Sequence, residues 1–142
     1  MSNHETNIKE LLENLFQALR DKEAVRTVEC YTTVVLFSLA PPLALTADSE
    51  AGDIQKWFDT FDGPLGIEVR DLSVTAAEEV AFAHCLNRLT GTKVTGEPND
   101  IWFRSTFGLV RVHGEWKIAH EHQSVPFYMD GSYKAAIDLK PE

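Results

Sequence analysis

Downstream of residue 66 the chain reads almost wholly as strand. Four runs, 67–75, 80–90, 101–112 and 116–125, are dense in β-branched and aromatic residues. The connections at 76–79 and 113–115 are short enough for hairpins, while 92–99, with Gly96 and Pro98, makes a longer turn. Hairpin-linked strands pair antiparallel, and one face of such a meander needs a cover. That cover lies upstream. Ile8, Leu11, Leu12, Leu15, Phe16 and Leu19 recur at helical spacing, opposite Lys9, Glu10, Glu13, Asn14 and Gln17. The spacing predicts a helix from about residue 4–7 to Arg20, capped by Asn3 or Thr6. Asp21 caps a short second helix with an apolar edge of Ala24, Val25 and Val28. A third opens at Asp48, aligns Ile54, Trp57, Phe58 and Phe61, and ends at Gly63-Pro64. Between them, YTTVVLF at 31–37 is a strand stopped by Pro41-Pro42, with a short strand resuming over 43–46.

Helices first and a meander after is the order of an α+β fold. Long strands twist and curl. Three helices from the N-terminal half, packed on a strongly curved antiparallel sheet, therefore enclose a conical pocket. The 142 residues suit one domain over 1–142, with a core at about 5–126 and a less regular extension at 127–142.

Composition narrows the partners. With 13 Lys+Arg against 22 Asp+Glu, the formal charge of −9 disfavours nucleic acid and anionic membrane surfaces. No run approaches the ~18 apolar residues that span a bilayer, and no secretory signal opens the sequence. Cys30 and Cys85 lie far apart outside any CxxC and read as small buried hydrophobes. A cytoplasmic setting follows as the expectation. No GxSxG, GxGxxG or GxxxxGK occurs, so no nucleophile elbow and no nucleotide cofactor is indicated.

Strand alternation nominates the polar residues of interest. Read straight through, Trp116, Ile118, His120, His122 and Ser124 share one face, and Lys117, Ala119, Glu121 and Gln123 the other. The first row is the more apolar, which turns both imidazoles inward. Trp102, Arg104, Thr106 and Gly108 are taken as the inner row of the preceding strand, and His84, Leu86 and Arg88 alternate with Ala83, Cys85 and Asn87. His84, Arg88, Arg104, His120 and His122 would then form a positive site for a carboxylate or enolate. The simpler alternative pairs the arginines with Glu68, Asp71 or Asp100. His-x-His also opens many metal sites, but no third ligand follows it, so no metal is expected. Trp57, with Phe58 and Phe61, is core or a ligand-stacking group.

One stretch carries a family likeness. Gly114-Glu115-Trp116-Lys117-Ile118-Ala119-His120-Glu121-His122-Gln123-Ser124-Val125-Pro126 closes a helix–helix–strand–Pro-Pro–helix–four-strand order. It resembles the SnoaL-like, ketosteroid-isomerase-like branch of the nuclear transport factor 2-like superfamily, and also the association domain of calmodulin-dependent kinase. Asn87-Arg88-Leu89-Thr90-Gly91 and Trp102-Phe103-Arg104-Ser105-Thr106 extend the likeness over roughly residues 5–126. The resemblance implies the cystatin-like roll with its conical pocket, a homodimer through the outer sheet face, and a pocket-lining role for Arg88. It also implies a general-base aspartate near Ser38 or Leu39, yet residues 32–47 contain no Asp or Glu.

The expected protein binds a small apolar or carboxylate-bearing molecule and acts, if an enzyme, in isomerase, cyclase or hydrolase chemistry. His122 or His120 is the acid–base group. Arg88, Arg104, His84, Thr106 and Trp57 form the ligand site. The alternative is a non-catalytic assembly module joined through an outer row of Phe103, Phe107 and Leu109. A His-x-His metal-dependent oxygenase stands third.

Overall fold

A computed structural model describes residues 3–48 and 51–142. Three helices precede and interrupt the strands: α1 (Asn3–Arg20), α2 (Ala24–Val28) and α3 (Gly52–Phe58). The strands are β1 (Tyr31–Phe37), β2 (Leu45–Ala47), β3 (Phe61–Ala76), β4 (Val80–Lys93), β5 (Pro98–Val112) and β6 (Glu115–Ser124). They form one curved sheet in the order β2-β1-β6-β5-β4-β3. Every pairing is antiparallel except that of β1 with β6, which is parallel.

Two helices depart from expectation. The third helix begins at Gly52, with Asp48 outside it, and stops at Phe58, so Gly63 and Pro64 belong to β3. Val25 of the short helix faces solvent, and Thr27 is buried in its place. The β5–β6 hairpin turns on His113 and Gly114, both at positive φ (51° and 81°), as a two-residue turn of matching twist requires.

α1 lies against one face of the sheet, which is therefore the inner face. Ile8, Leu12, Leu15 and Phe16 of α1 meet Val34, Ile67, Ala83, Cys85, Phe107, Leu109, Trp116 and Ile118 in a single cluster. Phe16 and Phe107 meet edge to face, with ring centroids 6.3 Å apart. Each fully buried Ile, Leu or Phe among them, such as Ile8, Leu12 or Phe107, contributes about 1.5–3 kcal/mol. A second cluster joins Ala24, Phe58, Phe61 and Leu65 beneath the short helices.

The core settles which way the strands face. Ala83, Cys85 and Asn87 of β4 and Phe103, Ser105, Phe107 and Leu109 of β5 are buried. Phe103, Phe107 and Leu109 are thus inner residues, not the outer row expected of an assembly surface. In β6, Ile118 stands opposite Leu109, but His120 stands opposite the adjacent Gly108. Ala119 is the extra residue of a β-bulge, and it reverses the alternation. Trp116 and Ile118 point inward; beyond the bulge the inward residues are Glu121 and Gln123, while His120 and His122 point out. Gly108 fits this crossing, since a Cβ there would lie 3.3 Å from the Cβ of His120.

The 126–142 tail is irregular but packed. The Ala136 amide donates to the Pro126 carbonyl at 2.8 Å, and Ala136 is 2% exposed. The Tyr128 hydroxyl donates to Asp138, and Arg70 Nη2 donates to the Glu142 carbonyl at 3.0 Å. Arg70 pairs with Leu86 on the outer side of the sheet, so the tail crosses that face from β6 to β3.

Candidate functional site

The inner face of the sheet carries a band of polar groups below the apolar cluster. Residues opposite one another across antiparallel strands share a face. Ala83, Phe107 and Glu121 make one rung, and Cys85, Ser105 and Gln123 the next. Asn87, opposite Phe103, begins a third. Tyr31 reaches this band from the parallel neighbour β1.

Two hydrogen-bonded sets result. Tyr31 Oη donates to Glu121 Oε1 at 2.6 Å, and Gln123 Nε2 donates to Glu121 Oε2 at 3.2 Å. Ser105 Oγ donates to Asn87 Oδ1 at 2.7 Å, Cys85 Sγ donates to the same oxygen at 3.4 Å, and Asn87 Nδ2 donates to the Glu68 carbonyl at 3.2 Å. Burial holds the Glu121 carboxyl above the ordinary carboxylate range, against the lowering effects of the Tyr31 hydrogen bond and of His120. Burial, followed by the charge of Glu121, pushes the Tyr31 phenol well up. The Cys85 thiol is likewise pushed up to about 12, by burial and then by Glu121. It is therefore an inert thiol near neutral pH. A half-buried carboxyl with a raised pKa, steadied by a phenol and an amide, is equipped to exchange protons.

The expected site residues of the sheet lie on the opposite face. His84, Thr106 and His122 occupy one rung, with Leu86, Arg104 and Ser124 beside it. His84, Arg104, Thr106 and His122 are exposed. His120 Nδ1 hydrogen-bonds the Val35 carbonyl at 2.7 Å, and Phe37 packs edge-on to His120 and His122 with centroids at 4.8 and 5.3 Å. The inward placement of His84, Arg88, Arg104, Thr106, His120 and His122 is corrected by the bulge at Ala119 and by the burial of Phe103, Phe107 and Leu109. Arg88 takes the structural alternative. Its Nε and Nη2 donate to both oxygens of Asp100 at 2.8 Å, and its Nη1 donates to Glu68 at 2.9 Å. That pairing holds Asp100 below the usual carboxylate range. Trp57 packs on Phe61 and Phe58, with centroids at 5.2 and 5.6 Å, in the second cluster. Among the described residues no group of three or more His, Cys, Asp or Glu could hold a metal ion. His84 and His122 are separated by the whole of β5.

Straight-through alternation missed Tyr31, Glu121 and Gln123. A signal was present, because the three large apolar residues of the Phe103 row demand the core. Pairing that row with Ile118 forces a phase change before Glu121.

The arrangement of one long helix and two short ones over a curved sheet has counterparts. The SnoaL-like domain model matches residues 8–128. The chain belongs to the SnoaL-like family. An NTF2-like protein of unknown function from Pseudomonas putida KT2440 is 33% identical, with a TM-score of 0.86 and 99% of each chain covered. Two more distant structures share the fold. A candidate scytalone dehydratase from Novosphingobium aromaticivorans has 14% identity, a TM-score of 0.75, and 94% of this chain and 91% of its own covered. A ketosteroid isomerase-like protein from Erwinia carotovora atroseptica has 20% identity, a TM-score of 0.72, and 87% and 97% covered. No curated protein matches. In this SnoaL-like chain the stretch 32–47 lacks any carboxylate, but Glu121 lies opposite Leu36 on the neighbouring strand. It offers one beside the segment where the family likeness expected a base.

Proposed function

We propose that this SnoaL-like protein binds a small, mostly apolar molecule at the polar end of its cone and transfers protons at a carbon next to a carbonyl, with Glu121 as the acid–base group. The observation that carries this reading is the 2.6 Å hydrogen bond from Tyr31 to a carboxyl whose pKa burial raises. A carboxylate so placed takes a proton from carbon. Returned to another carbon, that proton completes an isomerisation; delivered to a departing hydroxyl, it completes a dehydration. Tyr31 and Gln123 keep the carboxyl oriented, and the apolar wall of Phe107 and Leu36 strengthens the electrostatics by excluding water. Glu121 replaces His122 and His120 in this role, because both imidazoles face outward. The likeness to an isomerase-like protein and a candidate dehydratase agrees with this chemistry.

Hydrogen–deuterium exchange at carbon tests the idea without knowledge of the natural substrate. A panel of unsaturated and β-hydroxy cyclic ketones is incubated in D2O and followed by proton NMR. The wild type and His122→Ala should exchange alike, while Glu121→Gln should lose about 100-fold or more in rate. Equal exchange by Glu121→Gln, or none by the wild type across the panel, overturns the reading.

A homodimer through the outer face and a cytoplasmic setting complete the proposal. Val80 and Phe82, on that face, are 58% and 50% exposed, which is the apolar surface a partner copy would cover. Sedimentation showing a monomer at micromolar concentration would remove the dimer. Among the described residues no helix is long and apolar enough to cross a membrane.

A further inference from the structure

The tail does not lie flush on the sheet. Between it and the outer face is a recess of about 180 Å³, on the other side of the sheet from the Tyr31–Glu121 hydrogen bond. Leu86 and Trp102 form its wall on the sheet side, and Leu139 and Pro141 its wall on the tail side. Two cations, Arg104 and Lys140, also line it, beside Phe103, Ser124, Pro126 and Ala136, and no carboxylate does. Arg104 Nε donates to Ser124 Oγ at 3.0 Å, which fixes the plane of the guanidinium. Among the described residues neither Arg104 nor Lys140 has a carboxylate within ion-pair distance, although Arg20, Arg26, Arg70, Arg88, Lys56 and Lys117 all do. Asp100 is the acidic group that Lys140 influences, and its two oxygens are already taken by Arg88.

We propose that this recess is a binding site for a small organic carboxylate with an apolar body about the size of one ring. The chemistry follows from the lining. A planar guanidinium whose outer nitrogens have no hydrogen-bond partner among the described residues suits the two oxygens of a carboxylate, and Lys140 adds a second positive charge. The apolar walls require a hydrophobic body rather than a hydrated inorganic anion. The volume lies below the roughly 300–1,000 Å³ of sites for drug-sized ligands, which limits the occupant to a fragment. In a chain of net charge −9, such a local excess of cations marks one place where an anion is favoured.

The test uses the full chain and two probes of the same shape, benzoate and benzamide, followed by amide and indole NMR shifts. Benzoate should perturb Leu86, the Trp102 indole and Leu139, and benzamide should not. Arg104→Met and Lys140→Met should each weaken benzoate at least about tenfold, and Arg104→Lys, which keeps the charge but loses the fork, should fall between. Glu121→Gln should leave benzoate binding unchanged, which separates this site from the cone. Perturbation centred on Tyr31 and Glu121, equal response to benzamide, or affinity indifferent to both Met variants would overturn the proposal.

Discussion

The two faces of β4, β5 and β6 are built from the same stretch of chain, one residue out of step, yet their ionisable groups behave in opposite ways. On the inner face Glu121 sits in a low-dielectric band, and burial disfavours its charge. On the outer face Asp100 meets Arg88 in water, its charge favoured and its proton lost early. A carboxyl with a guanidinium clamped on both oxygens is a structural fastening; one whose charge burial disfavours is a candidate for chemistry. The contrast shows that residue type alone does not nominate a site. The outer row holds more imidazoles and arginines, but solvent or partners satisfy most of them.

Removing the phase change should break the comparison most severely. Deletion of Ala119 forces either Trp116 and Ile118 or Glu121 and Gln123 onto the wrong face. Exposing Ile118 and Trp116 removes about 3 kcal/mol or more, while turning Glu121 outward instead breaks its contact with Tyr31, so in the first case urea unfolding should show a large loss. A near-native midpoint with that contact intact would mean that the bulge is dispensable.

The next effect concerns Glu121 and pH. Its pKa is raised in the folded state, so the stability linked to it is complete below the unfolded value of 4.5 and is lost as pH rises through the folded value. Glu121→Gln accepts the same Tyr31 hydrogen bond without a charge. It should therefore melt higher than the wild type at about pH 8, and the two should converge near pH 4. Thermal scans across that interval check the sign, and a variant less stable at high pH would contradict it.

The outer pair should give the smallest effect and the reverse slope. Asp100 has a depressed pKa, so its contribution is present above the unfolded value of 3.8 and disappears as pH falls through the folded value. Arg88→Met should lower the melting temperature slightly at neutral pH, less so in strong salt, and match the wild type in acid. A loss that persists in acid would point to packing of the arginine stem instead.

The fold was legible because its signals are periodic. Ile8 to Leu19 announces one helix face, and β1 and the four long strands fall where β-branched density and short turns place them. Parallel pairing of β1 with β6 left no local mark, since it depends on partners far apart in sequence. The site was misplaced for a more particular reason. Ala119 is an ordinary strand residue, with no glycine to flag a bulge, so alternation carried from Trp116 delivers His120 and His122 to the interior by error. Only the demand of Phe103, Phe107 and Leu109 for the core, a property of another strand, exposes the slip. Arg88 shows the converse: the resemblance of its run carried it toward a pocket, while Glu68 and Asp100 were near enough to claim it.

The bond between Tyr31 and Glu121 spans 90 residues of sequence. Closing so long a loop has an entropic cost that the rest of the sheet must offset before the contact can hold. Detachment of β1 alone, with the meander intact, would separate phenol from carboxylate and leave most of the fold standing. Amide exchange along 31–37 should therefore set how often the protein is chemically competent.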